Sequence, residues 1–126
     1  MKTILVVDDA KLWRDRLKEI ILDAGYSVLE ADSGEVAVDM VRESRPDLIL
    51  LDNRMPGMGG LEAARQIRDS AGCETVPIIM LSSEDLPGSS EGTSVHGINS
   101  FLDKKDLRNN LLDCIDHYLS DTYYLT

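Results

Sequence analysis

Five short apolar runs alternate with longer amphipathic segments along this chain of 126 residues. The runs are continuous rather than alternating and rich in aliphatic and β-branched residues, which is typical of strands buried on both faces of a parallel sheet. We therefore predict strands at Thr3–Val7, Ser27–Ala31, Leu48–Leu51, Val76–Leu81 and Ser100–Leu102.

The segments between these runs carry apolar residues at helical spacing. Gly25 offers a left-handed stop to the first helix, Ser33 can cap the second, and Pro46 ends it. The stretch Gly88–Ser94 is poor helix material because of its glycines and serines, so only a short or frayed fourth helix is expected there, around Ser90–Val95. The remaining predicted helices are Lys11–Ala24, a helix after Ser33, one from Leu61 to about Ala71 and one at Asp106–Leu119.

Strands that alternate with helices imply βαβ units. The predicted fold class is therefore α/β, a doubly wound parallel sheet of five strands with helices on both faces. The chain shows no repeat, linker or shift in composition, and its length suits one domain. We expect residues 1–126 to form that single domain.

Composition narrows the range of partners. The formal net charge of -10 argues against direct binding of nucleic acid and against an anionic membrane surface, and it suits metal cations and basic protein surfaces. No apolar run approaches the ~20 residues that span a bilayer, and the start of the chain does not read as a signal peptide. We therefore expect a cytoplasmic protein without a membrane partner.

Charged and hydroxyl side chains follow four of the five predicted strands. Because the carboxyl ends of parallel strands lie at one edge of a sheet, we expect these side chains to converge there. Crowded carboxylates need a cation, and Mg²⁺ prefers such oxygen ligands. The set suits phosphoryl transfer, with Asp52 as the best placed nucleophile. Its members are Asp8, Asp9, Asp52, Ser82 and Lys104.

Each member also has a plainer explanation. Asp8 and Asp9 could cap the first helix, Asp52 and Ser82 could cap the loops that follow them, and Lys104 could be a solvated surface lysine. The combination favours a functional site, since every member falls at the same end of a predicted strand. Trp13 could lie at the mouth of this site or could simply pack against the core.

The order of these motifs resembles a response-regulator receiver domain over nearly the whole chain, from Lys2 to about Leu119. The resemblance implies a flavodoxin-like fold and phosphoryl transfer to Asp52 from a phosphohistidine on a sensor histidine kinase or a histidine phosphotransfer protein. It rests on the apolar strand with Asp8-Asp9, on Leu50-Leu51-Asp52 with Met55-Pro56 and Gly60, on Met80-Leu81-Ser82-Ser83-Glu84, and on Phe101 with Lys104.

The resemblance also assigns roles. Mg²⁺, or Mn²⁺ in its place, would be held by Asp8, Asp9, Asp52 and the backbone carbonyl of Asn53, with Asp8 acting mainly through a metal-bound water. Ser82 and Lys104 would engage the phosphoryl oxygens. The inward turn of Phe101 would then alter the surface formed by the fourth helix, the fifth strand and the fifth helix, where a downstream protein target binds.

Two features bear on this resemblance. The family's lysine usually precedes a cis proline, whereas Lys105 follows Lys104 here. The loop is therefore either trans or strained, and Lys105 is the alternative to Lys104. Arg54 and Ser83 flank the phosphoryl site, where such residues control the access of water and hence the lifetime of the phosphoryl group.

Two other functions stay open. A Mg²⁺-dependent phosphatase or phosphotransferase acting on a small molecule would favour a carboxylate two residues after the nucleophile, where Arg54 stands. A degenerate receiver would bind partners without phosphorylation, which the intact acidic set disfavours. The leading interpretation is a signalling module that takes part in its own phosphoryl transfer and hydrolysis, and we do not class it as an enzyme.

Overall fold

The computed structural model describes residues 2–70, 72–82 and 97–120. The strands are β1 (Thr3–Val7), β2 (Ser27–Ala31), β3 (Leu48–Asp52), β4 (Ile78–Ser82) and β5 (Ser100–Asp103). The helices of the described residues are α1 (Lys11–Asp23), α2 (Gly34–Ser44), α3 (Gly60–Arg68) and α4 (Leu107–Leu119), with a short 3-10 helix at Lys104–Asp106.

All five strands are parallel and lie in the order β2-β1-β3-β4-β5. The register pairs Val7 of β1 with Leu51 of β3, and Ser82 of β4 with Asp103 of β5. The strands therefore end nearly level, which gathers the residues that follow them at one edge. The predicted α/β fold with a five-stranded parallel sheet is confirmed.

Two apolar layers cover the sheet. Alternate strand residues such as Leu5, Ile49 and Met80 pack with α2 and α3. The residues between them, such as Ile4 and Leu50, pack with α1 and α4 on the opposite face. This division explains the continuous apolar runs of the sequence, since both faces of each central strand are buried.

The local signals that predicted the limits of the first two helices are also confirmed. Gly25 follows α1 with a φ of +95°, a left-handed conformation that glycine adopts without steric cost. Ser33 caps α2 through its hydroxyl, which accepts a hydrogen bond of 3.1 Å from the Val36 amide. α2 ends at Ser44, immediately before Arg45 and Pro46.

Several boundaries differ from the predicted ones. β4 begins at Ile78 rather than Val76, because Pro77 has no N–H to offer a neighbouring strand. α3 ends at Arg68 rather than near Ala71, in a tighter turn where the Ser70 amide donates to the Ile67 carbonyl. The predicted fourth helix around Ser90–Val95 lies outside the described residues. Among the helices that are described, none is long and apolar enough to cross a membrane.

Candidate functional site

The order of the strands creates a crevice between β1 and β3. In a doubly wound sheet the connections on the two sides of such a switch point run in opposite directions, which leaves space beyond the carboxyl ends of the two strands. Asp8 and Asp9 follow β1 directly, and Asp52 is the last residue of β3. The three predicted carboxylates therefore come from the two strands that form the crevice.

These three carboxylates are close enough to share a cation. One oxygen from each of Asp8, Asp9 and Asp52 lies within 4.8 Å of the others. Asp8 and Asp52 are buried, with exposed fractions of 1% and 6%, whereas Asp9 is exposed. A partly open set of hard oxygen donors fits the coordination preference of Mg²⁺, which retains several water ligands.

The carbonyl of Asn53, the remaining predicted metal ligand, lies in the turn after β3. It accepts a hydrogen bond of 3.1 Å from the Gly60 amide, which leaves its second lone pair available. Gly60 packs so tightly that a side-chain carbon there would collide with the Asp52 carbonyl. Glycine at this position therefore allows α3 to begin directly against the acidic turn.

Lys104 supplies the positive charge of the cluster. Its Nζ lies 2.8 Å from Oδ2 of Asp8 and 3.1 Å from Oδ1 of Asp52, and its side chain is 7% exposed. Lys105 is exposed, so Lys104 and not Lys105 faces the carboxylates. The peptide bond between these two lysines is trans, as are all peptide bonds in the part of the chain that the structure describes.

The electrostatic environment raises the pKa of Asp52. Burial is the main cause, because it penalises the charged carboxylate, and the negative charge of Asp8 acts in the same direction. The hydrogen bond and the positive charge of Lys104 oppose the shift without cancelling it. Among the described residues of the cluster, three carboxylates thus face one ammonium group, which leaves a deficit of positive charge that suits a divalent cation.

The other predicted site residues are placed as follows. Ser82 is buried at the end of β4, beside β5. Phe101, on β5, is half-buried against the apolar layer that contains α2 and α3. Arg54 is exposed and lines an open hollow of about 450 Å³ with Asn53 and Pro56. Ser83 lies outside the described residues.

Sequence reasoning did not find Arg14 and Glu30. Nη1 of Arg14 donates a hydrogen bond of 2.8 Å to the backbone carbonyl of Asp8, while its Nε donates to Glu30 at 3.2 Å. Arg14 therefore ties the acidic turn to β2. A signal was present, since Glu30 is a charged residue inside a predicted strand, but its partner could not be identified without the fold.

The comparisons with known proteins agree with this arrangement. Residues 4–116 match the family model described as "Response regulator receiver domain". The polar-differentiation response regulator DivK of Brucella anthropi is 28% identical over 120 residues, which cover 95% of this chain and 98% of that protein.

Two solved structures are also similar. The chemotaxis protein CheY4 of Vibrio cholerae superposes with a TM-score of 0.86 and 30% identity, covering 94% of this chain and 99% of that one. The response regulator TrrA of Thermotoga maritima, solved in complex with Mg²⁺-BeF, gives a TM-score of 0.83 and 33% identity, covering 94% and 100%. With the family model matched over most of its length, this chain belongs to the response regulator receiver domain family.

Proposed function

We propose that Asp52 is the phosphoryl acceptor of a single receiver domain, residues 1–126, and that its donor is a phosphohistidine on a sensor histidine kinase or histidine phosphotransfer protein. One observation carries this proposal. Lys104 Nζ lies within 3.1 Å of carboxylate oxygens from both Asp8 and Asp52, at the carboxyl edge of the sheet. An acceptor and a cation are thus already paired where an incoming phosphoryl group would need both.

The carboxylates of Asp8, Asp9 and Asp52, with the Asn53 carbonyl, form the proposed site for Mg²⁺, or for Mn²⁺ in its place. When bound, the ion would neutralise charge on the carboxylates and on the phosphoryl oxygens. The all-oxygen donor set and its mixed burial support this assignment. The similar response regulator TrrA, solved in complex with Mg²⁺-BeF, supports it independently.

The chain's own residues would then carry the transfer. A carboxylate oxygen of Asp52 forms a bond to phosphorus while the phosphorus–nitrogen bond to the donor histidine breaks, and the donor imidazole keeps the electron pair and takes up a proton. Lys104 moves its ammonium group from the carboxylates to a phosphoryl oxygen, and the Ser82 hydroxyl donates a hydrogen bond to another. Hydrolysis of the product by water would restore the Asp52 carboxylate.

The signal would leave through Ser82 and Phe101. Ser82 lies at the end of β4 and Phe101 on the neighbouring β5, so a shift of Ser82 toward the phosphoryl group would change the space open to the ring of Phe101. The surface that includes β5 and α4, which is the predicted fifth helix, would then bind a downstream protein target. Arg54 and Ser83 would set the lifetime of the phosphoryl group. A cytoplasmic location is part of this proposal.

Intact-mass measurement tests the proposal directly. The protein is incubated with acetyl phosphate and Mg²⁺, and we expect the mass of one added phosphoryl group. The adduct should be absent in Asp52→Asn and when the ion is removed with a chelator. Asp47→Asn is the matched control, because Asp47 lies at the opposite end of β3, and it should take up the group normally.

Uptake by Asp52→Asn at the wild-type level would contradict the assignment of the acceptor. Absence of any adduct on the wild-type protein, with acetyl phosphate and with phosphoramidate, would instead favour a degenerate receiver that works by binding alone.

A further inference from the structure

Trp13 lies in the first turn of α1, beside the cluster. Its indole ring is half-buried against the apolar layer of α1 and α4. The Nζ atom of Lys104 lies 4.7 Å from the centroid of this ring. That distance is well within the range at which an ammonium group is attracted to the face of an aromatic ring, and the attraction is strongest where water is excluded.

Lys104 is therefore held by three groups, namely two carboxylates and one ring. The two carboxylates, Asp8 and Asp52, are the groups that the proposed function commits to a cation and to a phosphoryl group. The contact with Trp13 involves no atom needed elsewhere. It therefore does not have to be broken when Lys104 exchanges its carboxylate partners for a phosphoryl oxygen.

We propose that Trp13 is a positioning residue for Lys104, which keeps the ammonium group at the mouth of the site while its carboxylate partners change. The expected effect on phosphorylation rests on the proposed function, whereas the contact between Trp13 and Lys104 does not. A long, flexible lysine side chain has many rotamers, and the ring limits those that its buried end can occupy. Without the ring, Lys104 would spend less time directed at the phosphoryl position.

A second cation serves as an internal comparison. The guanidinium carbon of Arg16 lies 5.6 Å from the centroid of the same ring, but Arg16 is exposed and belongs to α1 itself. Its contact with the ring is therefore local and solvated, and it directs no charge toward the carboxylates. Arg16→Met removes this cation and leaves the contact between Trp13 and Lys104 in place.

The contact can be measured without metal or phosphodonor. In the NMR spectrum of the wild-type protein, the side-chain protons of Lys104 next to Nζ should be shifted upfield by the ring current of Trp13. The shift should disappear in Trp13→Leu, persist in Trp13→Phe and be unchanged in Arg16→Met. An unshifted Lys104 in the wild-type protein would overturn the proposal.

The consequence is measured by the rate of phosphorylation from acetyl phosphate. Trp13→Leu should slow it about three- to tenfold, and Trp13→Phe, which restores a ring, should recover it to within about twofold of the wild type. In a Lys104→Met background, Trp13→Leu should have no further effect. Arg16→Met should match the wild type.

Two results would show that Trp13 acts only through packing. One is an equal fall in the phosphorylation rate for Trp13→Leu and Trp13→Phe, and the other is a fall in the Lys104→Met background as large as that in the wild-type background. Comparing Leu with Phe keeps the test valid even if Lys104→Met does not fold. Failure of the proposed function is distinguishable, because the wild-type protein would then take up no phosphoryl group, while the metal-free NMR measurement would still report on the contact.

Discussion

The parallel strands all begin at one side of the sheet, its amino edge, and all end at the opposite side, its carboxyl edge. Polar side chains are used in opposite ways at these two edges. At the amino edge, the side chain of the residue before one strand accepts a hydrogen bond from the first backbone amide of the neighbouring strand. Asp47 precedes β3 and accepts from Thr3 of β1 at 2.7 Å, and Asn99 precedes β5 and accepts from Ile78 of β4 at 2.9 Å. At the carboxyl edge, buried side chains face each other, with Lys104 between Asp8 and Asp52.

The two edges also differ in their balance of charge. Arg68 joins the amino edge to the rest of the fold by donating to the carbonyls of Gly97 and Cys73 and to the Asn99 side chain. Among the residues that the structure describes, these polar groups of the amino edge are thus paired donor to acceptor. The carboxyl edge is hydrogen-bonded but carries an excess of negative charge, which a cation or a change of protonation must offset. Substitutions at the two edges should therefore have different consequences.

The largest effect expected is that of Lys104→Met on phosphoryl uptake. Loss of the ammonium group removes a charge directed at the phosphoryl oxygens, so the rate with acetyl phosphate should fall about 100-fold. Arg68→Met is the control at the amino edge, and it should lower stability while leaving the rate within about twofold of the wild type. Both rates are followed by intact mass against time. Equal rates for the two variants would contradict the comparison between the edges.

Asn99→Ala should have the next largest effect, on stability alone. It leaves the buried amide of Ile78 without its acceptor, at a cost of about 1–2 kcal/mol in the free energy of unfolding measured with urea. Asn110→Ala, on the exposed side of α4, should change that free energy by no more than about 0.5 kcal/mol. We also expect Asn99→Ala to take up the phosphoryl group at the wild-type rate, once the rate is corrected for the fraction of folded protein.

Mg²⁺ should stabilise the wild-type protein because the acidic cluster is complete only in the folded chain. At ten times its dissociation constant, one bound ion adds about 1.4 kcal/mol to the free energy of unfolding. The gain should be lost in Asp52→Asn and retained in Asp47→Asn, as followed by thermal unfolding with and without the ion. Equal stabilisation of all three proteins would place the ion elsewhere.

The smallest effect concerns Asp52 and pH. Because the pKa of Asp52 is raised by folding, the native protein holds this proton more tightly than the unfolded chain, and stability falls as the pH rises from the ordinary pKa of 3.8 to the raised one. In metal-free protein, Asp52→Asn should therefore gain about 1 kcal/mol at pH 7. The gain should shrink toward acid pH, below both pKa values. Urea unfolding at several pH values measures it, and a loss of stability at pH 7 would contradict the predicted sign.

Much of the fold follows from local sequence signals. Strands buried on both faces appear as continuous apolar runs, and a residue at the end of a run must lie at the edge of the sheet. That is why Asp8, Asp9 and Asp52 could be assigned to one edge of the sheet before the topology was known. The errors were at boundaries, such as the first residue of β4, where Pro77 and the pairing of the neighbouring strand determine the limit.

The tertiary structure decided contacts that join residues far apart in the chain. The hydrogen bond between Lys104 and Asp8 spans 96 residues, and the fold places Lys104 rather than the adjacent Lys105 against the carboxylates. The same holds for Trp13 against Lys104 and for Arg14 between Asp8 and Glu30. The sequence determines which end of each strand a side chain occupies, because that is a property of position along the chain. Which side chains meet there depends on strand order and register, and these are set by packing across the whole domain.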